Sequence, residues 1–187
     1  MTLLLLGIAL WSVAHFFRRL APAGHAGLVG RLGPGPARGV VAVVIAVGLV
    51  LIVIGFRLAP IEPLYDPPGW GIHLNNLMML AAVALFGMGM SKGRARAWLR
   101  HPMLTAVIIW ALAHLLVNGD VASVLLFGGM LLWAGAEIAV INANAPAWVR
   151  PVPGPASGDI RLVVITLVVF GVIVAIHSGL GYPPFPR

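Results

Sequence analysis

Six long apolar runs constrain this chain more than any other feature of its sequence. They cover residues 2–17, 40–56, 72–90, 103–117, 121–141 and 162–180. Most approach the roughly 20 residues that a helix needs to cross a bilayer, and none shows the alternation of a transmembrane β-strand. Because 60% of the residues are hydrophobic and only 9% are charged, the composition lies far from that of soluble proteins. The sequence predicts an all-α integral membrane bundle of about six transmembrane helices, forming a single domain over residues 1–187.

Basic residues concentrate in alternate gaps between these runs. The first, third and fifth gaps hold nearly all of them: Arg18, Arg19, Arg31 and Arg38; Lys92, Arg94, Arg96 and Arg100; Arg150 and Arg161. The first run has no basic residue before its apolar core, so we expect an uncleaved helix and not a signal peptide. The positive-inside rule then places both termini on the outer side of the membrane. Topology accounts for the net charge of +7, which therefore does not indicate a nucleic-acid partner.

The absence of cysteine limits the chemistry. It excludes disulfides, thiolate metal sites, a cysteine nucleophile and covalent CxxCH haem attachment, so any metal chemistry must use histidine or carboxylates. Two stretches rich in Pro and Gly, residues 32–36 and 151–155, are predicted as loops between helices.

The fourth run is short. About 15 residues rising 1.5 Å each span roughly 22 Å, less than the hydrocarbon thickness of about 30 Å. Pro102 suits its first turn, Asn118-Gly119 suits a left-handed residue at its end, and Asp120 suits the cap of the next helix. We expect a tight helical hairpin from Pro102 to about Ile141.

Polar residues inside the apolar runs are candidate functional groups. Trp110, His114 and Asn118 recur every four residues and so share one helix face, which we expect to point into the bundle. By the predicted topology His73 and His177 lie in the same outer half, with Asn75, Asn76 and Ser178 nearby as hydrogen-bond partners. In the inner half, His15 and Glu137 are the intramembrane polar residues, and Arg100, His101 or His15 is the expected partner of Glu137. His25 and His101 lie in basic segments, where contact with lipid headgroups is expected.

Several imidazoles in one bundle have three possible roles. Two from different helices suit six-coordinate haem b, whereas three converging on one point suit zinc or copper. A hydrogen bond between helices is the purely structural alternative. The spacing alone does not decide among them.

The segments 100–104, 110–116, 118–120 and 125–128 resemble the NnrU family of bacterial membrane proteins. That family is named for genes linked to nitric-oxide and nitrite metabolism and is related to 15-cis-zeta-carotene isomerase. The resemblance implies a multi-pass protein of the bacterial inner membrane, with periplasmic termini by the topology above. It also implies haem b as cofactor, because the isomerase relatives are described as binding it.

The isomerase motif W-C-I-A-H matches Trp110–His114 and so implies His114 as a haem ligand. Ala111 replaces its cysteine, which makes a thiolate ligand switch impossible in this chain. The other isomerase ligand matches His15, yet the predicted topology separates His15 and His114 by about 15 Å along the membrane normal. His73 and His177 lie at the depth of His114, so all four histidines are candidates for cofactor and iron binding.

Three function classes follow. The first is haem-dependent redox or isomerase chemistry on a hydrophobic small molecule. The second is a non-catalytic accessory protein that assembles or regulates a nitrogen-oxide enzyme in the membrane. The third is a membrane methyltransferase, because Arg100-His101-Pro102 resembles the R-H-P motif of isoprenylcysteine methyltransferases. The tail, residues 181–187, lacks that group's charged residues for S-adenosylmethionine and so argues against methyl transfer.

Overall fold

A computed structural model of the chain describes residues 1–185 and is helical over most of each apolar run. The helices are α1 (Thr2–Leu20), α2 (Pro22–Leu32), α3 (Pro34–Arg57), α4 (Gly71–Met88), α5 (Pro102–Leu115), α6 (Val121–Asn144) and α7 (Ala156–Gly179). In the described residues the only β pairing is an isolated bridge between Pro63 and Asp120. Five helices, α1, α3, α4, α6 and α7, are long and apolar enough to cross a membrane, and α5 is a shorter apolar helix. The predicted all-α membrane fold is confirmed.

The chain forms two compact units that alternate along the sequence. The first consists of Met1–Tyr65 and Gly119–Asn144 and contains α1, α2, α3 and α6. The second consists of Asp66–Asn118 and the chain from Ala145 onward, and contains α4, α5 and α7.

Glycines allow α1 and α3 to pack closely in the first unit. A Cβ on Gly7 would lie 2.6 Å from the backbone nitrogen of Ile52, and one on Gly48 would lie 2.9 Å from that of Trp11. Leu4 on α1 is fully buried. Apolar helices in lipid associate by such close backbone approach, because lipid tails remove the hydrophobic drive that operates in water.

The segment between α1 and α3 departs from the prediction. It contains α2, and the stretch 32–36 is not a loop, because α2 ends at Leu32 and α3 begins at Pro34. Gly33 alone breaks the helix, with φ of 82°. Pro34 and Pro36 fit the first turn of α3 because the first backbone N–H groups of a helix have no intrahelical acceptor.

The junction between α5 and α6 confirms one predicted cap and corrects another. The Asp120 carboxylate accepts hydrogen bonds from the backbone N–H of Ser123 at 2.9 Å and from its hydroxyl at 2.5 Å, so Asp120 caps α6 as expected. The left-handed residue expected at Asn118-Gly119 is wrong, because positive φ occurs among the described residues only at Gly33 and Gly181. Instead the His114 carbonyl accepts from the backbone N–H groups of Val117 and Asn118 and from Asn118 Nδ2.

The helices on either side of this junction were expected to form a hairpin. Within the second unit α5 packs against α4, and within the first unit α6 packs against α1. Helix α6 also contains a π-helical segment, Val124–Gly128, whose Phe127 ring meets Phe56 of α3.

In the second unit α4 packs against both α5 and α7. A Cβ on Gly87 of α4 would lie 2.8 Å from the Leu162 side chain of α7. The Asp159 carboxylate, in the first turn of α7, accepts a hydrogen bond of 3.0 Å from the backbone N–H of Ala95. Residues 151–155 are non-helical, as predicted. Of the tail that argues against methyl transfer, Pro186 and Arg187 lie outside the described residues.

Candidate functional site

A column of aromatic and charged side chains joins α1 and α6 in the first unit. Trp11, His15 and Arg19 are four residues apart on α1, and Trp133 and Glu137 are four apart on α6, so each set shares one helix face. The His15 ring centroid lies 4.4 Å from Trp11 and 4.9 Å from Trp133. His15 is thereby held between two indoles.

Arg19 is the partner of Glu137. The two side chains form an ion pair in which Glu137 is only 5% exposed. None of the three sequence-based candidates, Arg100, His101 and His15, is this partner, and Arg100 donates instead to the Pro146 carbonyl at 3.0 Å. Because α1 continues to Leu20, Arg19 lies one turn beyond His15 on the same face, and not in a solvated loop.

A cavity of about 570 Å³ lies within the first unit and includes His15. Sites of about 300–1,000 Å³ accommodate small-molecule ligands and cofactors. The lining combines basic side chains with apolar ones: Arg18, Arg19, Arg38, His15 and His25 with Ala14, Phe17, Val29, Pro34, Val41, Ala42 and Ile45. The arrangement suits a ligand that has a large apolar body and acidic groups.

His25 is a cavity residue that sequence reasoning assigned to lipid headgroups. It is on α2, and its ring centroid lies 6.0 Å from that of Phe17. The helical spacing of Leu28, Val29 and Leu32 could have indicated α2, but the basic composition of the segment favoured a solvated region in contact with headgroups.

A second, smaller cavity of about 50 Å³ lies within the second unit. It brings together His114 of α5 and His177 of α7, two of the three histidines of the predicted cluster. Its remaining lining consists of Asn75, Asn76, Met79, Phe170, Ile173, Val174 and Pro184. His73 is exposed on α4 and is not among the lining residues.

His15, His114 and His177 share one local hydrogen bond. In each, Nδ1 contacts the carbonyl oxygen four residues earlier, at 2.7 Å for Trp11, 2.9 Å for Trp110 and 2.9 Å for Ile173. A carbonyl oxygen only accepts, so Nδ1 carries the proton and the lone pair of the neutral ring is on Nε2. Histidines that bind metals are commonly oriented by this kind of hydrogen bond.

Asn75 and Asn76 were expected to form hydrogen bonds with imidazoles, but their side-chain NH₂ groups donate to other acceptors. Asn75 Nδ2 donates to Asn76 Oδ1 at 3.2 Å, and Asn76 Nδ2 donates to the Pro184 carbonyl at 2.8 Å. Asn75 Oδ1 is buried and has no hydrogen-bond partner within the described part of the chain. Trp110 lies beside His114, with ring centroids 5.2 Å apart.

Other buried polar atoms lack partners in the first unit. Trp11 Nε1, Trp133 Nε1 and Glu137 Oε2 accept or donate no hydrogen bond within residues 1–185. The same residues contain no group of three or more His, Cys, Asp or Glu side chains that could hold a metal ion. The histidines are therefore paired or single and do not form a cluster of acidic and imidazole ligands.

A comparison with protein families matches residues 3–184 to the family described as NnrU protein. The chain belongs to the NnrU family. No curated protein and no solved structure matches it. The NnrU match extends over both units and includes every candidate histidine, so neither cavity lies outside the family region.

Proposed function

We propose that this NnrU protein binds haem b in the cavity of the first unit, where His15 would hold the iron. The observation that carries the proposal is the cavity itself, which combines about 570 Å³ of space with an imidazole and several arginines. Haem is a large apolar ring with two carboxylates, and its pocket needs these features together.

Different lining residues would bind the iron, the propionates and the porphyrin ring. His15 would supply Nε2, since its Nδ1 donates to the Trp11 carbonyl. Arg18 and Arg38 would bind the propionates, because guanidinium groups match carboxylates in geometry and charge. Phe17, Val41 and Ile45 would contact the ring, and His25 would be a second residue to hold the iron.

His114 is a weaker candidate for haem than the resemblance implied. Its cavity in the second unit has about 50 Å³, well below the size of ordinary cofactor sites. We therefore favour His15 as the iron ligand and expect a smaller occupant beside His114.

A bound haem would supply one-electron chemistry. We propose a redox role at the bacterial inner membrane, in the nitric-oxide and nitrite metabolism that the resemblance to NnrU implies. Carotenoid-isomerase chemistry is the less favoured role, because Ala111 provides no thiolate and is fully buried.

The test is the visible spectrum of the protein purified in mild detergent, oxidised and then reduced with dithionite. We expect a Soret band in the wild type that is lost or shifted in His15→Ala. His73→Ala is the control, because His73 is exposed and lines neither cavity. Loss in His114→Ala instead of His15→Ala would contradict the proposed position. A haem-free protein that cannot be reconstituted would contradict haem binding and favour the accessory role.

The arginines provide a second test of the same pocket. We expect Arg18→Ala/Arg38→Ala to lose most of its haem during purification, because two carboxylates would lose their cationic partners. Arg57→Ala is the control, since Arg57 ends α3 away from the cavity lining. Equal haem content in all three proteins would contradict propionate binding by Arg18 and Arg38, and a co-purifying anionic lipid would identify a different ligand.

A further inference from the structure

The small cavity of the second unit contains a soft, uncharged set of possible metal ligands. His114 comes from α5, His177 from α7 and Met79 from α4, and all three line about 50 Å³. The lone pair of each imidazole is on Nε2, because each Nδ1 donates to a carbonyl of its own helix. Met79 adds a thioether sulfur to the same lining.

The absence of charged side chains from this lining favours a monovalent metal ion over a divalent one. None of its side chains is a carboxylate or an arginine. The cost of desolvating an ion rises with the square of its charge, so an uncompensated divalent ion is much more costly here than a monovalent one. Thioether and imidazole ligands together favour Cu(I), which also accepts low coordination numbers.

We propose that the second-unit cavity binds a single Cu(I) ion through His114, His177 and Met79. The volume is sufficient for one ion and a water molecule, since a water needs about 10–15 Å³ of such space. The same volume excludes a porphyrin.

A second observation points to an occupant in this cavity. Asn75 is only 7% exposed, and its Oδ1 has no hydrogen-bond partner within the described residues. A buried acceptor without a partner is costly. A water beside the ion would donate to Oδ1, which accounts for a polar amide in a lining otherwise rich in Phe170, Ile173 and Val174.

This site is separate from the proposed haem site, because its residues belong to the other unit. Loss of copper binding therefore predicts no loss of haem at His15. Failure of either proposal leaves the other standing.

Anaerobic titration of the purified full chain with Cu(I), in competition with bathocuproine disulfonate, tests the proposal. We expect one Cu(I) per wild-type chain and at least tenfold weaker binding in Met79→Leu, a change that nearly preserves volume. Met78→Leu is the matched control, since Met78 precedes it on α4 and is not a lining residue. His177→Ala should also weaken binding, and a monodisperse elution profile would show that each variant is folded.

X-ray absorption on the copper-loaded protein adds a direct structural measurement. We expect nitrogen and sulfur scatterers in the wild type and loss of the sulfur in Met79→Leu. Absence of Cu(I) binding, equal affinity in Met78→Leu and Met79→Leu, or tighter binding of Zn²⁺ than of Cu(I) would overturn the proposal.

Discussion

At the residue scale, a few intramembrane polar side chains account for most of what is distinctive in this protein. His15, His114 and His177 were found from the sequence because a histidine in an apolar run is unusual. Arg19 was not assigned to Glu137, because the end of α1 could not be located among the basic residues that follow the first run. The first apolar run ends at residue 17, whereas α1 continues to Leu20 and so includes Arg19, which pairs with the buried Glu137. The partner of Glu137 therefore depends on where α1 ends.

The Arg19–Glu137 pair predicts an asymmetric response to mutation. Arg19→Ala should destabilise the protein by about 3 kcal/mol, the low end for a broken buried pair because Arg19 is itself half-buried. Thermal unfolding in detergent measures this effect. Arg57→Ala is the control, since Arg57 is exposed and lies outside the cavity lining, and Arg19→Met/Glu137→Leu should restore much of the stability. Equal melting temperatures for Arg19→Ala and Arg57→Ala would contradict a stabilising role for the pair.

At the element scale, hydropathy predicted where the apolar helices lie, but it did not predict where each helix ends or which helices pack together. The six runs reappear as α1, α3, α4, α5, α6 and α7. Helix α2 was missed, because hydropathy detects a membrane span and is blind to a helix of mixed composition. The packing partners within each unit could not be predicted either: α5 packs against α4 and α6 packs against α1, and the length of a connection does not specify which helix faces fit together.

The glycines of α3 give a prediction at this scale. Gly48→Leu should destabilise the first unit by about 1–3 kcal/mol or more, because its side chain would meet the backbone of Trp11. Gly39→Leu is a matched control in the same helix, since a Cβ at Gly39 has no atom within 4 Å. Fluorescence-detected size exclusion after heating compares the two. Similar losses in both variants would show that α1 and α3 do not depend on close approach at Gly48.

At the scale of the whole molecule, the chain combines a membrane fold with two cavities of different size in different units. Composition sufficed to predict the membrane class, because 60% hydrophobic residues cannot be covered by the polar remainder in water. The cavities could not be predicted, since each depends on side chains from three helices whose relative positions no local pattern specifies. The orientation across the membrane is still a prediction from the basic residues.

The two ends of α7 test that orientation. The chain has no native cysteine, so Ser157→Cys and Ser178→Cys each introduce one thiol, near the beginning and the end of the same helix. A membrane-impermeant maleimide should label Ser178→Cys in intact spheroplasts and Ser157→Cys only after lysis, because the positive-inside rule places Arg150 and Arg161 inside. The reverse labelling pattern would overturn the predicted periplasmic termini.

The most direct test of the account is a rescue experiment at His15. The wild type should show a haem spectrum, His15→Gly should lose it or change its ligation, and added imidazole should restore it by occupying the vacated position. His114→Gly treated in the same way should keep the wild-type spectrum throughout. An unchanged spectrum in His15→Gly, or rescue by imidazole in His114→Gly alone, would contradict the assignment of haem to the first unit.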